Sequence, residues 1–470
     1  MSKLSTTFPS TIESCHELLA RFTELTEQLV VRVEKLEKEN RELRERLNTN
    51  SDNSSLPPSK SHKKKKAPLK GSSRKSGGQE GHKGHFRELV PAEQVDERIV
   101  CPAPVHCECG GTIEMEQDVQ VHQVHELPVQ KLHVTEYVLE KGRCNCCRRR
   151  MKGSLPSGVT MGITGPRLTA FLLHMVSRYQ LSRRELLELL KEQFNFRLGL
   201  GTLFNKQKLA NKILEKPVAE ILETVRESPC VNMDETGHNR DGKKQWLWGI
   251  LGEDAAFFKV HKSRGKKVIA QLMEDYNGIV ISDRYAGYNH FPSCQRQICW
   301  AHLKRDFTRI SEKSDAVIAR LGKNLLECKT QLFECWHAFR KGTLSRWRLT
   351  QETAPIRKRV GELLEQGSYT DPALGITRFC KNLLQYFQAL WTFLETENVE
   401  PTNNHAERGL RQAVIWRKKY FGTRSDYGSE FVGNILSFST TCRLKSQNAF
   451  HELTAIIGNW FSQTSAANFA

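Results

Sequence analysis

Two short apolar runs constrain this chain more than anything else in it. CVNMDETG reaches Asp234, and GIVISDRYAGY reaches Asp283, 49 residues later. Runs of this length, rich in β-branched residues and followed by turn formers, read as buried strands. Between them WLWGILG and AAFFKVHK read as a hairpin joined by the turn-like GEDA, and a helix is expected near 265–275. RQICWAHLKRDF then reads as a short strand running into a helix. Strands alternating with helices make an α/β layer in which aspartates at strand ends can converge from neighbouring strands. One aspartate at a strand end is usually a turn or a cap; two, each behind an apolar strand, point to a carboxylate site.

The rest of the chain falls into blocks around this core. With 470 residues it has material for about three domains at roughly 100–200 residues each. In 1–47, Leu29, Leu36 and Leu43 recur at seven-residue spacing with Val33, Asn40 and Leu47 four residues on. That is a parallel-dimer coiled-coil pattern, in which a buried Asn40 sets the register. An amphipathic helix packed on its own domain would show the same stripe. Residues 48–90 hold NSSLPPSK, GGQEGHKGH and the run Lys63, Lys64, Lys65, Lys66. Proline, glycine, serine and like charges read as an extended linker, either a tether or a phosphate-binding arm.

Fourteen cysteines would suggest a disulfide framework in a small secreted chain, but six of them crowd into 101–147. Cys101, Cys107 and Cys109 face Cys144, Cys146 and Cys147 across 34 residues with strand-like alternation. Two such clusters resemble a zinc ribbon over 91–160, four thiolates closing a tetrahedral site in a reducing compartment. Cys144 and Cys147 form a CxxC; in the first cluster Cys107 and Cys109 compete to pair with Cys101. Residues 161–228 turn helical, with Ser182 and Glu185 as a capping box before LSRRELLELL and a third helix after LGLG. This is a helix-turn-helix-like region, a DNA reader with Arg183 and Arg184 at its turn or a packing unit for the next domain.

Net charge is +18, but it is unevenly spread. Residues 1–47 and 91–160 are slightly acidic, 48–90 carries +7 and 161–470 carries +14. A polyanionic partner is expected along the linker and the C-terminal two-thirds. No apolar run approaches the roughly 20 residues of a membrane span, and MSKLSTTFPS lacks a secretory pattern, so a cytoplasmic protein is expected. Late in the chain, Glu407 sits on a helix started by Asn403 or Asn404. It is followed by Arg408, Arg411, Arg417, Lys418, Lys419 and Arg424, interleaved with Trp416, Tyr420 and Phe421. Such a mixture suits a groove that holds phosphates and stacks bases.

NSSLPPSK, GGQEGHKGH, the cysteine pairs, LSRRELLELL, DETG, WLW, SDRYAGY, CWAHLKRDF and NNHAERGLR stand in the order found in transposases of the insertion-sequence-66 family, which the chain resembles from about residue 34 to about residue 443. The resemblance implies an RNase-H-like catalytic core of the DDE type, its triad matched by Asp234, Asp283 and Glu407. It divides that core into 229–302 and 400–445 around a helical insertion over 303–399, with a C-terminal segment over 446–470. Cys299 and His302 match a CxxH that follows the second aspartate in several such families; His302 would touch the scissile phosphate, order Asp283, or serve structure alone. The first cysteine cluster departs from the more usual CxxC.

The implied activity is DNA strand cleavage and strand transfer, with bacterial nucleoid DNA as substrate and partner and with companion accessory proteins. Three carboxylates suit two Mg²⁺ or Mn²⁺ ions, hard cations that take oxygen ligands and stabilise both the attacking and the leaving oxygen. Two rivals remain at this stage: a zinc-containing DNA-binding regulator with an inactive core, and a nuclease that cleaves without joining.

Overall fold

A computed structural model describes residues 11–54, 88–114, 116, 119–160 and 162–467. Lys63, Lys64, Lys65 and Lys66 therefore lie outside the described residues. Among the described residues no helix is long and apolar enough to cross a membrane.

The N-terminal stripe forms one long helix, α1 (Ile12–Asn48), whose Leu29, Val33, Leu36, Leu43 and Leu47 are all at least half exposed. Its C-terminal end touches the body of the protein through an ion pair from Lys313 to Glu45 (2.7 Å). The cysteine-rich segment differs from its expected strands. Among its described residues only β1 (Lys141–Arg143) and β2 (Arg150–Lys152) form a ladder. Val124, Val129, Val134 and Val138 are 78–85% exposed, so their alternation buries no face and pairs with no neighbour.

Three helices follow: α2 (Pro166–Ser177), α3 (Arg183–Phe194) and α4 (Leu200–Glu227). The expected capping box is formed. Ser182 Oγ accepts the Glu185 N–H (3.2 Å), and the Ser182 N–H donates to Glu185 Oε2 (2.6 Å). α4 runs through Pro217 and carries Leu203, Ala210, Ile213, Leu214, Val218 and Val225 into the core.

The sheet comprises β3 (Cys230–Arg240), β4 (Lys243–Leu251), β5 (Ala256–His261), β6 (Ile279–Ser282) and β7 (Arg296–Ile298), in the order β5-β4-β3-β6-β7. The first three strands form an antiparallel meander, whereas β6 and β7 run parallel to β3. Asp241 and Gly242, both at positive φ, close the β3–β4 turn in the conformation that Asp-Gly favours. The helix expected near 265–275 is α5 (Lys266–Leu272), the crossover towards β6.

After β7, the chain builds α6 (Trp300–Ser311), α7 (Ala316–Arg340), α8 (Arg346–Ser368), α9 (Thr377–Gln385) and the short α10 (Thr392–Glu395). These helices share a core of their own, to which the sheet contributes Ile281 and Ile298. α6 begins at Trp300, immediately after β7 and Cys299, so this helical block follows the sheet without a connecting loop.

The chain then returns to the sheet as α11 (Asn404–Tyr420), α12 (Asp426–Leu444) and α13 (Ala449–Ala467). α11 buries Ala406, Leu410, Ala413 and Trp416, one stripe at helical spacing, against β3 and β4. Gly409 lets the helix approach closely, since a Cβ there would collide with the Leu251 side chain. α12 lies along β5, the edge of the sheet. Ser437 Oγ accepts the Phe258 N–H (2.8 Å) and Thr441 Oγ1 accepts the Ala256 N–H (3.0 Å), so hydroxyls satisfy an otherwise open strand edge.

Candidate active site

The parallel ladder between β3 and β6 aligns the first two acids. Its pairs are Cys230 with Ile279, Val231 with Val280 and Asn232 with Ile281, each 49 residues apart. Continued by two residues, the same register sets Asp283 level with Asp234. Level residues on neighbouring parallel strands point to the same face, at about 4.8 Å strand spacing. Burial pushes the Asp234 carboxyl well above the usual carboxylate range, and the charges of Glu235, Asp283 and Glu407 push it the same way. Asp234 Oδ1 accepts only the adjacent Glu235 N–H (2.8 Å).

Asp283 is held from both sides. Its Oδ1 accepts the Tyr285 N–H (2.9 Å), while its carbonyl accepts from Nη2 of Arg296 (2.8 Å). Arg296 is 1% exposed, and it also donates to Asn289 Oδ1 (2.7 Å). Burial lowers its pKa to about 10, with the Asp283 charge acting in the opposite sense.

Glu407 enters from α11, across the insertion. Asn403, fully buried at the N-cap, uses its side chain for tertiary bonds instead of capping. Its Nδ2 donates to the Met233 carbonyl (2.8 Å), its Oδ1 accepts from Asn232 Nδ2 (2.9 Å), and its N–H donates to Cys299 Sγ (3.1 Å). One residue thereby ties the start of α11 to the strand bearing Asp234 and to the start of α6. His302, in the first turn of α6, brings Nδ1 to 3.8 Å from Glu407 Oε1. Neither of those buried atoms has a hydrogen-bond partner. Cys299 completes this corner; burial pushes its thiol up to about 11.

Behind Asp234, Glu235 points to the opposite face of the strand. It pairs with Arg264 and accepts the Tyr288 hydroxyl (2.8 Å), and Arg264 stacks on Tyr285 and Trp246. Asn403 is legible from sequence as a helix start but not as a clamp, and neither Arg296 nor this Glu235 network was singled out. Alternation along DETG does place Asp234 and Glu235 on opposite faces, which was the available signal.

The expected basic groove is divided by the structure. Arg184, Arg408, Arg411, Lys418 and Lys419 are exposed, Lys419 pairing with Glu185 (3.2 Å). Arg183, by contrast, packs over the rings of Phe204 and Tyr420 and donates to Gln207 (3.2 Å). Arg417 donates to the Gly237 carbonyl (2.7 Å). Two of the aromatics read as base-stacking are engaged with the protein instead. Trp416 is a core residue, 1% exposed, and Tyr420 is half-buried, its hydroxyl donating to the Leu181 carbonyl (2.6 Å), because both fall on the inner side of α11; Phe421 is open, at 81%.

The cysteine knuckles form as two separate pairs. Hydrogen bonds from Cys109 lower the Cys107 pKa, and those from Cys147 and Cys146 lower that of Cys144. The structure does not draw Cys101, Cys107, Cys109, Cys144 and Cys147 into one site. Among the described residues, the group of three or more potential metal ligands that converges is Cys299, His302 and Glu407.

Comparison with known proteins places this geometry. The chain is 24% identical over 396 residues to the uncharacterized protein y4hP of Sinorhizobium fredii (strain NBRC 101917 / NGR234), covering 76% of this chain and 71% of that protein. Residues 9–88 match a family of unknown function (DUF6444). Residues 161–430, which span the three helices, the whole sheet, the insertion and the helix bearing Glu407, match the model described as Transposase IS66 family, and the chain belongs to that family.

Proposed function

We propose that the protein is a DNA transposase that cleaves insertion-sequence ends and joins them to target DNA, using Asp234, Asp283 and Glu407 on an RNase-H-like core. The observation that carries this is the 49-residue register of the β3–β6 ladder, which levels two aspartates under the helix that delivers Glu407. Three antiparallel strands followed by two parallel ones, with a crossover helix, support the RNase-H-like reading.

The acids fit a pair of hard cations, Mg²⁺ or Mn²⁺. All three offer oxygen, Asp234 feels other acids as its strongest neighbouring charges, and Glu407 Oε1 is an orphaned buried acceptor. When bound, such ions activate the attacking oxygen and stabilise the leaving one. The protein's part is orientation. Arg296 fixes the backbone of Asp283, Asn403 fixes the height of α11, and His302 stands beside Glu407, where it can order that carboxylate or reach a scissile phosphate.

The remaining assignments extend this reading. Arg184, Arg408, Arg411, Lys418 and Lys419 offer exposed charge to the DNA backbone. Lys63 to Lys66 would add phosphate contacts, and α2–α4 serve as a helix-turn-helix-like reader in which Arg183 braces α3 against α4 and α11, while Arg417 ties α11 to β3. The exposed leucine stripe of α1 supports self-association as a coiled coil. Four of the five thiols of Cys101, Cys107, Cys109, Cys144 and Cys147 would hold a structural Zn²⁺ once the two knuckles, which stand as separate pairs in this structure, close on each other. Accessory transposition proteins and a cytoplasmic, nucleoid-associated location complete the reading.

A supercoiled plasmid carrying the terminal inverted repeats, incubated with the protein and Mg²⁺ or Mn²⁺, tests it. Nicking with integration is expected, and Asp234→Asn abolishes both. Nicking alone would select a nuclease, binding alone a regulator, and full strand transfer by Asp234→Asn would overturn the triad.

A further inference from the structure

We infer that Cys299, His302 and Glu407 form a binding site for a zinc-class divalent cation, distinct in chemistry from the oxygen-lined site that the same Glu407 shares with Asp234 and Asp283. Their ligand atoms lie within 4.8 Å of one another, and they come from two elements: the N-cap and first turn of α6 and the first turn of α11. His302 Nδ1 and Glu407 Oε1 are both buried and unpartnered, and at 3.8 Å they are too far apart to bond each other. Buried polar atoms are nearly always satisfied, so two adjacent orphans ask for something between them.

The donor set decides what that is. Mg²⁺ demands near-octahedral oxygen ligands and keeps its waters, which a thiol and an imidazole do not suit. Zn²⁺ takes sulfur, nitrogen and oxygen together at about 2.0–2.3 Å, so ligand atoms around it sit about 3.3–3.7 Å apart. A contraction of at most about 1.5 Å from the present arrangement achieves this. Three protein ligands would leave a fourth position for water, and the thiol proton would pass to solvent on binding. Affinity rises steeply along the first-row metals towards zinc, so low zinc competes with abundant Mg²⁺ at these donors.

The consequence rests on the transposase reading: zinc draws Glu407 towards α6 and away from the two aspartates, and so silences cleavage. Binding itself does not depend on that reading.

The test uses the full chain, stripped of metal, equilibrated with Zn²⁺ sufficient for both this site and the cysteines of 101–147 in excess Mg²⁺, freed of unbound metal, and assayed for bound zinc by mass spectrometry. Wild type is expected to hold one equivalent more than Cys299→Ala, His302→Asn or Glu407→Gln, while the cysteines of 101–147 contribute equally to all four. Removing groups beyond the ligands already costs about 10–100-fold in metal affinity, so in cleavage assays inhibition of Cys299→Ala requires at least about tenfold more zinc than inhibition of wild type. Should Cys299→Ala fail to fold, the other two variants carry the measurement, His302 and Glu407 being only partly buried. Equal zinc content in wild type and the folded variants would overturn the site and assign the gap to a bridging water. Loss of one equivalent from a protein that never cleaves DNA would uphold the site and fail the transposase reading instead.

Discussion

Asn403 gives the sharpest test of how the site is assembled. Its side chain is fully buried, donating to the Met233 carbonyl at 2.8 Å and accepting from Asn232 at 2.9 Å. Asn403→Ala leaves both of those groups without a partner beside the strand that bears Asp234. An orphaned buried group costs about 1–3 kcal/mol, so the pair costs about 2–4 kcal/mol once partial relaxation is allowed. Amide exchange in the first turn of α11 should then accelerate about 30- to 1,000-fold, since each 1.4 kcal/mol is tenfold in an equilibrium. Asn403→Asp, nearly the same size, should not rescue it, because one carboxylate oxygen would face the Met233 carbonyl. The assay is hydrogen exchange read by mass spectrometry on peptides from 404–410, alongside Mg²⁺-dependent cleavage. Exchange within about threefold of wild type would show that α11 is held by its apolar stripe alone and would refute the clamp.

Two further outcomes follow from the charges. Asp234 is pushed above its ordinary value, so the folded protein binds a proton that the unfolded chain has released. Without metal, stability is therefore highest below the ordinary carboxylate range and is lost as pH rises through the raised value. Asp234→Asn escapes that loss, and its thermal stabilisation of the metal-free protein should be larger at about pH 8 than at about pH 5; an equal gain at both would refute the crowding of acids. On DNA, Arg184→Ala, Arg408→Ala or Lys418→Ala should each reduce the salt slope of binding by about 1. Arg417→Ala should instead leave the slope unchanged and lower the melting temperature, its guanidinium being bonded to the Gly237 carbonyl.

How much could be read beforehand depended on whether the determining physics was local. Asp234 and Asp283 stood out because each follows an apolar run that reads as a buried strand, whereas their level register came only from the β3–β6 ladder. The capping box at Ser182 was legible for the same reason. Trp416 and Tyr420 were misjudged by weighing their ring chemistry above their phase: Ala406, Leu410, Ala413 and Trp416 already mark the buried stripe. The Asp241–Gly242 hairpin was likewise available in the sequence and passed over. Asn403 was legible as a helix start, but its tertiary bonds and those of Arg296 could not be found locally, because the partners lie at the far ends of a fold that only the assembled sheet brings together. Valines alternating through 121–138 mimic a strand, yet alternation without a face to bury is not enough.

The hydroxyls of α12 on β5 also bear on the order in which a new chain matures. Phe258 and Ser437 are 179 residues apart, so at about 5–20 residues per second the edge of β5 leaves the ribosome roughly 10–35 s before its cover. A chain broken off between α11 and α12 would own all three acids and still present a bare strand to its neighbours. The last stretch of synthesis therefore supplies the cover of an edge that would otherwise stay open to pairing.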